Sequence, residues 1–527
     1  MEQTTPQETK QPDERACVPE EESPGPAYGW YALGVLVLVY ALNFIDRQML
    51  TILAVDIKRD LHISDAQFGF LYGTAFGVFY ALFGIPLGKL ADRWPRTRLL
   101  AIGLATWSTM TAASGLACNF TQLGFARIGV GVGEATAGPC GYSLLADYFP
   151  PRRRATAVAI YSAGIYLGGG LALSIGAGLA HAWDHAFVLG ARPLGLAGWQ
   201  AAFLGLGLPG LGMSLWVSSL KEPRRGRHEV GHRIMEMSGR DALRAFGRDV
   251  ATIAPPFTVF MAARRGVKAL VVNLLLLAVC ALAAWGLTEW LGDMPQWIVL
   301  GIGVYAVVSW TQSLRHDDPE AYGAIWQNPA VVGINIGYGL TCALTYAATA
   351  FGPLYAMEVL HAPANEVALI VGGGGAAGGA LGVIAGGALG DRLSGGVYHS
   401  RRLVVVLGAL SLAMIAYGFL MATGSAHVFY WIVFPLWFLL SGALGSAAGT
   451  IVNIVPARVR ATATASFFLG ATLLGLALGP YVTGRLSGAW HSLWVGLTGI
   501  LVVMPFSFAS LVIAWRHLVR QERAKGL

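Results

Sequence analysis

An all-α, polytopic membrane protein is predicted, built as two six-helix bundles with an inserted two-helix hairpin. Three observations carry this prediction. The 527-residue chain is 55% hydrophobic and only 12% charged, about half the charged share of an average soluble domain. Fourteen apolar stretches lie between residues 30 and 515, most of them near the ~20 residues that a helix needs to cross a bilayer. Two loop signatures also occur twice. Gly88-Lys-Leu-Ala-Asp92-Arg93 returns as Gly387-Ala-Leu-Gly-Asp391-Arg392, and Arg152-Arg-Arg154-Ala-Thr-Ala157 returns as Arg458-Val-Arg460-Ala-Thr-Ala463. A duplicated bundle with a site near midplane, between its halves, explains such a repeat.

Residues 1–28 are polar and acid-rich with no apolar run, so a disordered cytoplasmic tail is expected there rather than a signal peptide. The stretches 30–52, 68–90, 98–118, 122–146, 155–180 and 199–220 make a first bundle over 29–220. Region 221–325 begins with a basic segment in which Arg240, Arg244 and Arg248 recur at helical spacing around Leu243, Phe246 and Val250. That pattern suits an amphipathic helix on the cytoplasmic leaflet. Two further apolar stretches, 268–288 and 296–314, form the inserted hairpin. The second bundle, within 326–527, takes 330–357, 364–389, 403–422, 429–453, 462–482 and 490–515.

Charge sets the direction. With both termini cytoplasmic, nearly all of the 36 lysines and arginines fall on the inner side, and the outer side keeps only Lys58, Arg59, Arg192 and Arg485. This is the positive-inside bias expected of a multi-pass protein of the cell inner membrane. It fixes orientation and not the number of spans, because deleting the hairpin reverses no other segment. The 69 glycines sit within apolar runs, where small residues let helices approach closely.

Four charges lie at membrane depth. Asp46 and Arg47 fall within Tyr31–Leu53, and Arg127 and Glu134 within Leu123–Leu145. Such charges are costly in a bilayer and line a wet cavity or pair with one another. Residues seven apart share a helix face, so Arg127 and Glu134 sit roughly 10 Å apart along one side. Asp46 and Arg47 point about 100° apart, so the expected pairs are Asp46 with Arg127 and Arg47 with Glu134. Desolvation favours the protonated form of such a carboxylate and a nearby arginine the charged form. Asp46 and Glu134 are therefore candidates for proton coupling, and Arg47 and Arg127 for holding a charged head group. The competing reading is a fixed ion network that only staples the first span to the fourth; buried pairs are poor staples beside apolar packing. The second half lacks such charges and offers Asn335, Tyr338, Thr341 and Tyr346 as a candidate cavity wall.

Other chemistries find no support. Gly84-x-x-x-Gly88-Lys89-Leu90 is a residue short of a P-loop and lacks its Ser/Thr, so no ATP site is expected. His181 and His185 have metal-like spacing without a third ligand, and the five cysteines have neither metal nor pairing spacing. No membrane-depth nucleophile–base pair suggests a hydrolase. Neither enzyme activity, cofactor nor nucleic-acid partner is expected.

The loop Gly88-x-Leu90-Ala91-Asp92-Arg93-x-x-Arg96 resembles the loop motif of the major facilitator superfamily, with Pro95 where glycine is usual. Arg127-Ile-Gly-Val-Gly131-Val-Gly133-Glu134-Ala135, Gly198-Trp199-Gln-Ala-Ala-Phe203 and Glu222-Pro223-Arg224 resemble its other signatures. Within it, Asn43-Phe-Ile-Asp46-Arg47-Gln with Gly131-x-Gly133-Glu134 is similar to the Spinster group. That resemblance implies the major facilitator fold and an inside gate of Gly88, Asp92, Arg93, Arg96, Asp147, Asp391 and Arg392. In it, the loop Asp faces a helix N-terminus of the other half, and an Arg pairs with the acid at Asp147. It also implies alternating-access, proton-coupled transport of amphipathic lipids such as lysophospholipid or sphingosine 1-phosphate, with protons and membrane lipids as partners. Proton-driven efflux of drugs is the alternative.

Overall fold

A computed structural model describes residues 26–187, 192–225, 238–255, 257–395, 397–456 and 459–526. Most of the expected N-terminal tail, and Arg458 of the second repeat, lie outside the described residues. Every regular element among the described residues is helical. The first half runs α1 (Pro26–Ile52), α2 (Asp65–Ala91), α3 (Arg96–Ser114), α4 (Phe120–Glu134, resuming as Ala137–Tyr148), α5 (Pro151–Ala186) and α6 (Gly198–Ser218). Two short helices follow, α7 (Gly239–Ala251) and α8 (Phe257–Arg264), and then a hairpin of α9 (Val267–Leu291) and α10 (Met294–Asp317). The second half is α11 (Pro329–Glu358), α12 (Leu369–Ser394), α13 (His399–Ala422), α14 (Ala426–Ile454), α15 (Thr462–Trp490) and α16 (Leu493–Ala524).

Among the described residues, 12 helices are long and apolar enough to cross a membrane, where the sequence suggests fourteen stretches. The difference is α3 and α4. α3 has only 19 residues and carries Arg96, Arg98 and several hydroxyls, while α4 is interrupted between Glu134 and Ala137. Both nevertheless pack inside the first half, with Leu104 and Trp107 of α3 and Leu123 and Val130 of α4 buried.

The repeat is visible at the end of the molecule that carries Asp92 and Asp391, here the basic end. In the first half, Glu222 accepts the backbone N–H (2.9 Å) and hydroxyl (3.0 Å) of Thr97 at the start of α3. In the second, Glu522 accepts the backbone N–H (2.8 Å) and hydroxyl (2.5 Å) of Ser400 at the start of α13. A helix N-terminus leaves N–H groups without intrahelical partners and favours a carboxylate there. Each half thus supplies one from its last helix or just beyond.

The contacts joining the halves cluster towards the other end. Gly69 and Gly73 of α2 lie against the backbone of Pro480 and Leu476 of α15, with no room for a Cβ. Phe68 meets Phe351 edge-on at 5.5 Å, Asp65 accepts from Ser487 at 2.7 Å, and Lys58, paired with Asp65 at 2.6 Å, stands 3.9 Å from Glu358. Both helices make a π-turn here, over Phe70–Thr74 and Ala471–Leu476, an irregularity frequent at functional positions.

The hairpin packs on this same seam. The Thr74 hydroxyl lies 2.6 Å from both Gln296 of α10 and the carbonyl of Ala477 of α15. Gln296 is buried, and Val78, Leu82, Ala306, Leu473 and Ala477 cluster around the junction. A buried amide costs stability unless it is hydrogen-bonded, and this one is satisfied by partners from both halves. α9 and α10 are tied to each other by Asn273, which meets Ser309 (3.0 Å), Gln312 (2.8 Å) and Tyr305 (2.6 Å).

The amphipathic helix that the sequence suggests forms as α7. It docks on the protein through Ala242, Ala245, Phe246 and Asp249, and exposes Leu243 together with Arg240, Arg244 and Arg248. The docking follows from Asp249, which pairs with Lys89 (3.1 Å) and Arg93 (3.6 Å) of the α2–α3 loop.

Candidate functional site

The four membrane-depth charges form two pairs between α1 and α4. Arg47 Nε donates to Glu134 Oε2 at 2.6 Å, and Arg127 Nη1 stands 3.5 Å from Asp46 Oδ1. Asp46 also accepts from the hydroxyl of Thr111 on α3. The helical geometry explains the division: Asp46 and Arg47 diverge around α1, and each meets the opposite charge on its own side. Three aromatic rings pack against the Arg47 guanidinium, Phe44 at 4.8 Å and Phe76 and Tyr80 at 4.7 Å. Such rings attract a cation through their electron-rich faces.

The two arginines and the two acids do not occupy equivalent places. Arg47 and Arg127 line a cavity of about 310 Å³ between the halves, whereas Asp46 and Glu134 sit behind them and do not reach it. Glu134 Oε1 and Arg127 Nε have no hydrogen-bond partner among the described residues, although both atoms are buried. A buried group with unused bonding capacity is costly, and here the unused capacity belongs to the same charge cluster.

The rest of the cavity is mainly apolar and aromatic. α1 contributes Phe44, Gln48, Thr51 and Ile52; α2 contributes Tyr72 and Phe76; α14 contributes Trp437, Leu440, Ser441 and Leu444; α15 contributes Phe468 and Leu476. From α11 come Tyr338, Cys342, Thr345, Tyr346 and Thr349, one face of that helix. Two of the four expected wall residues are therefore misplaced. Asn335 donates to Ser466 at 3.0 Å, and Thr341 meets Ser507 at 2.9 Å, so both are spent on helix packing against α15 and α16.

At the basic end Arg96 is fully buried and holds several elements together. It pairs with Asp147 at the end of α4 (2.5 Å) and with Glu222 after α6 (2.7 Å), and donates to the carbonyls of Ser143 (3.0 Å) and Pro223 (3.1 Å). Gly88 closes the last turns of α2, its carbonyl accepting the Asp92 N–H at 3.1 Å. Partial desolvation lifts the Asp92 carboxyl above its ordinary range, opposed by Arg225, Arg93 and Arg96. Asp92 itself is exposed at the end of α2.

The second-half counterpart is Arg402, which the sequence reading passes over. It pairs with Asp391 at 2.7 Å and donates to the carbonyl of Gly449 at 2.9 Å, as Arg96 does to Ser143. Asn453 stands in the second repeat where Asp147 stands in the first, and it bonds within α14 to Gly449. Arg392 is exposed. Among the described residues the two ends of the repeat thus differ in strength: one arginine with two acids, the other with a single acid that is 72% exposed.

Among the described residues no group of three or more His, Cys, Asp or Glu could hold a metal ion.

Relatives of known kind agree with this architecture. Curated relatives include an MFS-type efflux pump of Mycolicibacterium smegmatis, 38% identical over 31% of this chain and 39% of its own. A probable L-galactonate transporter of Escherichia coli is 29% identical over 35% of this chain and 37% of its own, and Protein spinster of Drosophila melanogaster is 27% identical over 44% and 36%. The matched stretches thus span well under half the length of these relatives. Among solved structures, a bacterial homologue of the human lysosomal transporter Spinster, in an inward-facing and unoccupied conformation, superposes with a TM-score of 0.69 at 23% identity, covering 94% of this chain and 99% of that one. A peptide transporter, POT, in complex with sulfate gives 0.59 at 16% identity, over 93% and 94%. The model of the Major Facilitator Superfamily matches residues 36–480. A match of that length, on this fold, assigns the family: the chain, with 12 helices long and apolar enough to cross a membrane among its described residues, belongs to the Major Facilitator Superfamily.

Proposed function

We propose that the protein is a proton-coupled, alternating-access carrier of amphipathic lipids with an anionic or zwitterionic head, such as a lysophospholipid or sphingosine 1-phosphate. One observation carries the reading: Arg47 and Arg127 face the cavity while their carboxylate partners stand behind them, and most of the remaining wall is apolar or aromatic. Arginine presents a planar fork matched to phosphate, and an apolar wall stabilises a buried chain by about 0.8 kcal/mol per methylene. The resemblance of Asn43–Gln48 and Gly131–Glu134 to the Spinster group implies the same substrate class, and Protein spinster is among the relatives.

Coupling follows from the arrangement. A phosphate that engages Arg47 competes with Glu134 for the guanidinium. The buried carboxylate, left with less counter-charge, then takes a proton, since an unpaired charge at this depth is costly. Arg127 and Asp46 repeat the exchange on the other side of α1. Head-group binding and protonation are thereby linked, and release of one favours release of the other.

In the positive-inside orientation the basic end faces the cytoplasm, with both termini there and the protein in the cell inner membrane. The contacts of α2 with α15 then close the outer side, which makes this an inward-facing state. Bundles over 29–220 and 326–527 would rock against each other around the cavity, with the Arg96 and Arg402 clusters as the inner gate.

A second reading, proton-driven efflux of drugs, draws on the efflux-pump relative. Sugar-acid carriers among the relatives, including the probable L-galactonate transporter, share the need for a cation at the site. A polyhydroxylated acid could use the amide and hydroxyls of Gln48, Thr51, Thr345, Thr349 and Ser441, but it would leave the many apolar and aromatic side chains of this wall unmatched. The deciding experiment is a thermal-stability screen of lysophospholipids, sphingosine 1-phosphate, cationic dyes and galactonate, because a ligand that binds the folded state raises Tm by mass action. Stabilisation by the phosphorylated lipids alone supports the proposal; stabilisation by cationic dyes or by galactonate alone overturns it.

A further inference from the structure

The linker between the halves carries a second feature that the transport site does not use. α7 and α8 enclose a cleft, and Arg244, Arg248, Arg264, Phe257, Phe260 and Met261 line it together with Asp241 and small residues. All three arginines are exposed, and so are both phenylalanines. Arg244 has Asp241 only at 3.8 Å, and Arg248 and Arg264 have no acid within ion-pair distance among the described residues. Arg265, next in the chain, is by contrast already committed to Asp317 (2.7 Å) and Ser313 (2.6 Å).

The cleft's position says what kind of ligand it meets. α8 ends at Arg264, and the membrane-length helix α9 begins at Val267, so the cleft opens where the chain enters the bilayer. Clustered arginines at such a position attract anionic head groups, and flanking exposed aromatics suit the upper part of acyl chains. The same helix is also wired to the gate. Asp249, next in the chain after Arg248, pairs with Lys89 and Arg93 of the α2–α3 loop, while Ile253 is buried against α2 and α10.

We propose that the cleft between α7 and α8 binds an anionic phospholipid of the surrounding leaflet, and that Asp249 transmits its occupancy to the Lys89–Arg93 loop. The site depends on neither the transported substrate nor the direction of transport. Its failure would therefore leave the carrier reading standing, and the reverse also holds.

The test uses the full chain, purified in a neutral detergent. Binding of phosphatidylglycerol and of phosphatidylcholine is counted by native mass spectrometry. Wild type is expected to retain at least one phosphatidylglycerol that phosphatidylcholine does not replace and that excess inorganic phosphate does not displace. Arg244→Ala/Arg248→Ala/Arg264→Ala should weaken that binding about tenfold or more, with an unchanged melting temperature in phosphatidylcholine showing that the variant is folded. The corresponding triple lysine variant should retain most of it. Equal binding of the two lipids, displacement by phosphate, or undiminished binding by the alanine variant overturns the site. In nanodiscs, adding phosphatidylglycerol should slow amide hydrogen exchange across residues 88–98, and Asp249→Asn should keep the lipid but lose that protection. Protection that persists in Asp249→Asn overturns the transmission.

Discussion

Arg47 reaches from the cavity wall back to Glu134, its Nε 2.6 Å from a carboxylate that is itself fully buried. The same guanidinium lies among the rings of Phe44, Phe76 and Tyr80. One side chain therefore holds both the surface that a ligand would meet and the charge that a proton would replace.

Replacing Arg47 separates charge from shape. Lysine keeps the cation but loses the planar fork and its stacking, so Arg47→Lys should weaken lysolipid binding by about 1–2 kcal/mol, roughly tenfold. Arg47→Ala should weaken it further. Isothermal titration in detergent measures both, and shortening the lipid tail should cost about 0.8 kcal/mol for each methylene withdrawn from the wall.

Coupling should vanish before folding does. Glu134→Gln and Asp46→Asn keep size and hydrogen-bonding capacity but remove the titrating group. Each should abolish uptake driven by a pH gradient in liposomes while leaving expression and substrate-dependent stabilisation intact. Transport at the wild-type rate in both variants would return the network to the role of a staple.

The two gate arginines should differ in their structural weight. Arg96 is 1% exposed and holds two acids of low exposure, so Arg96→Ala leaves uncompensated charge and should cost about 3–5 kcal/mol of stability. Arg402→Ala releases mainly the exposed Asp391, an ion pair worth about 0–1 kcal/mol, beside hydrogen bonds to Gly449 and Ser394. Its loss should be distinctly smaller. Unfolding by denaturant in detergent compares them directly.

Closure of the end opposite the gate depends on bare backbone. Gly73 faces the Leu476 carbonyl with no space for a Cβ. Gly73→Ala should push α2 from α15 and shift the population away from this state. Spin labels at the exposed His62 and His491 should then show a longer and broader distance distribution by electron resonance; an unchanged distribution would mean that the contact does not control closure.

Much of this site was legible because charge in an apolar helix is rare and its spacing is informative. The seven-residue interval from Arg127 to Glu134 and the adjacency of Asp46 and Arg47 led to the two observed pairs. Uncharged polar residues carry no such signal. Thr111, Gln48 and Thr51 look like ordinary helix hydroxyls or amides until their neighbours are known, and Asn335 and Thr341 look like cavity residues until Ser466 and Ser507 are found to claim them. The basic segment was recognisable as amphipathic, but not which face would dock; Asp249 decides that through Lys89 and Arg93, 160 and 156 residues away in the chain. Glu222 stood in a recognised motif, yet its role at the start of α3 needed the fold, and the matching Glu522 has no motif around it. The exchange of Asp147 for Asn453, by contrast, is readable from the aligned repeats alone.

The central claim, that an anionic head displaces Glu134 from Arg47 and thereby causes protonation, is tested most directly by counting protons taken up when ligand binds. The purified protein in weakly buffered detergent, with a pH-sensitive dye, is mixed with a saturating lysophospholipid. Wild type should take up protons from solution on binding, Glu134→Gln should take up fewer, and Glu134→Gln with Asp46→Asn should take up none. Binding of the lipid with no proton uptake in the wild type, or the same uptake in all three proteins, would contradict it.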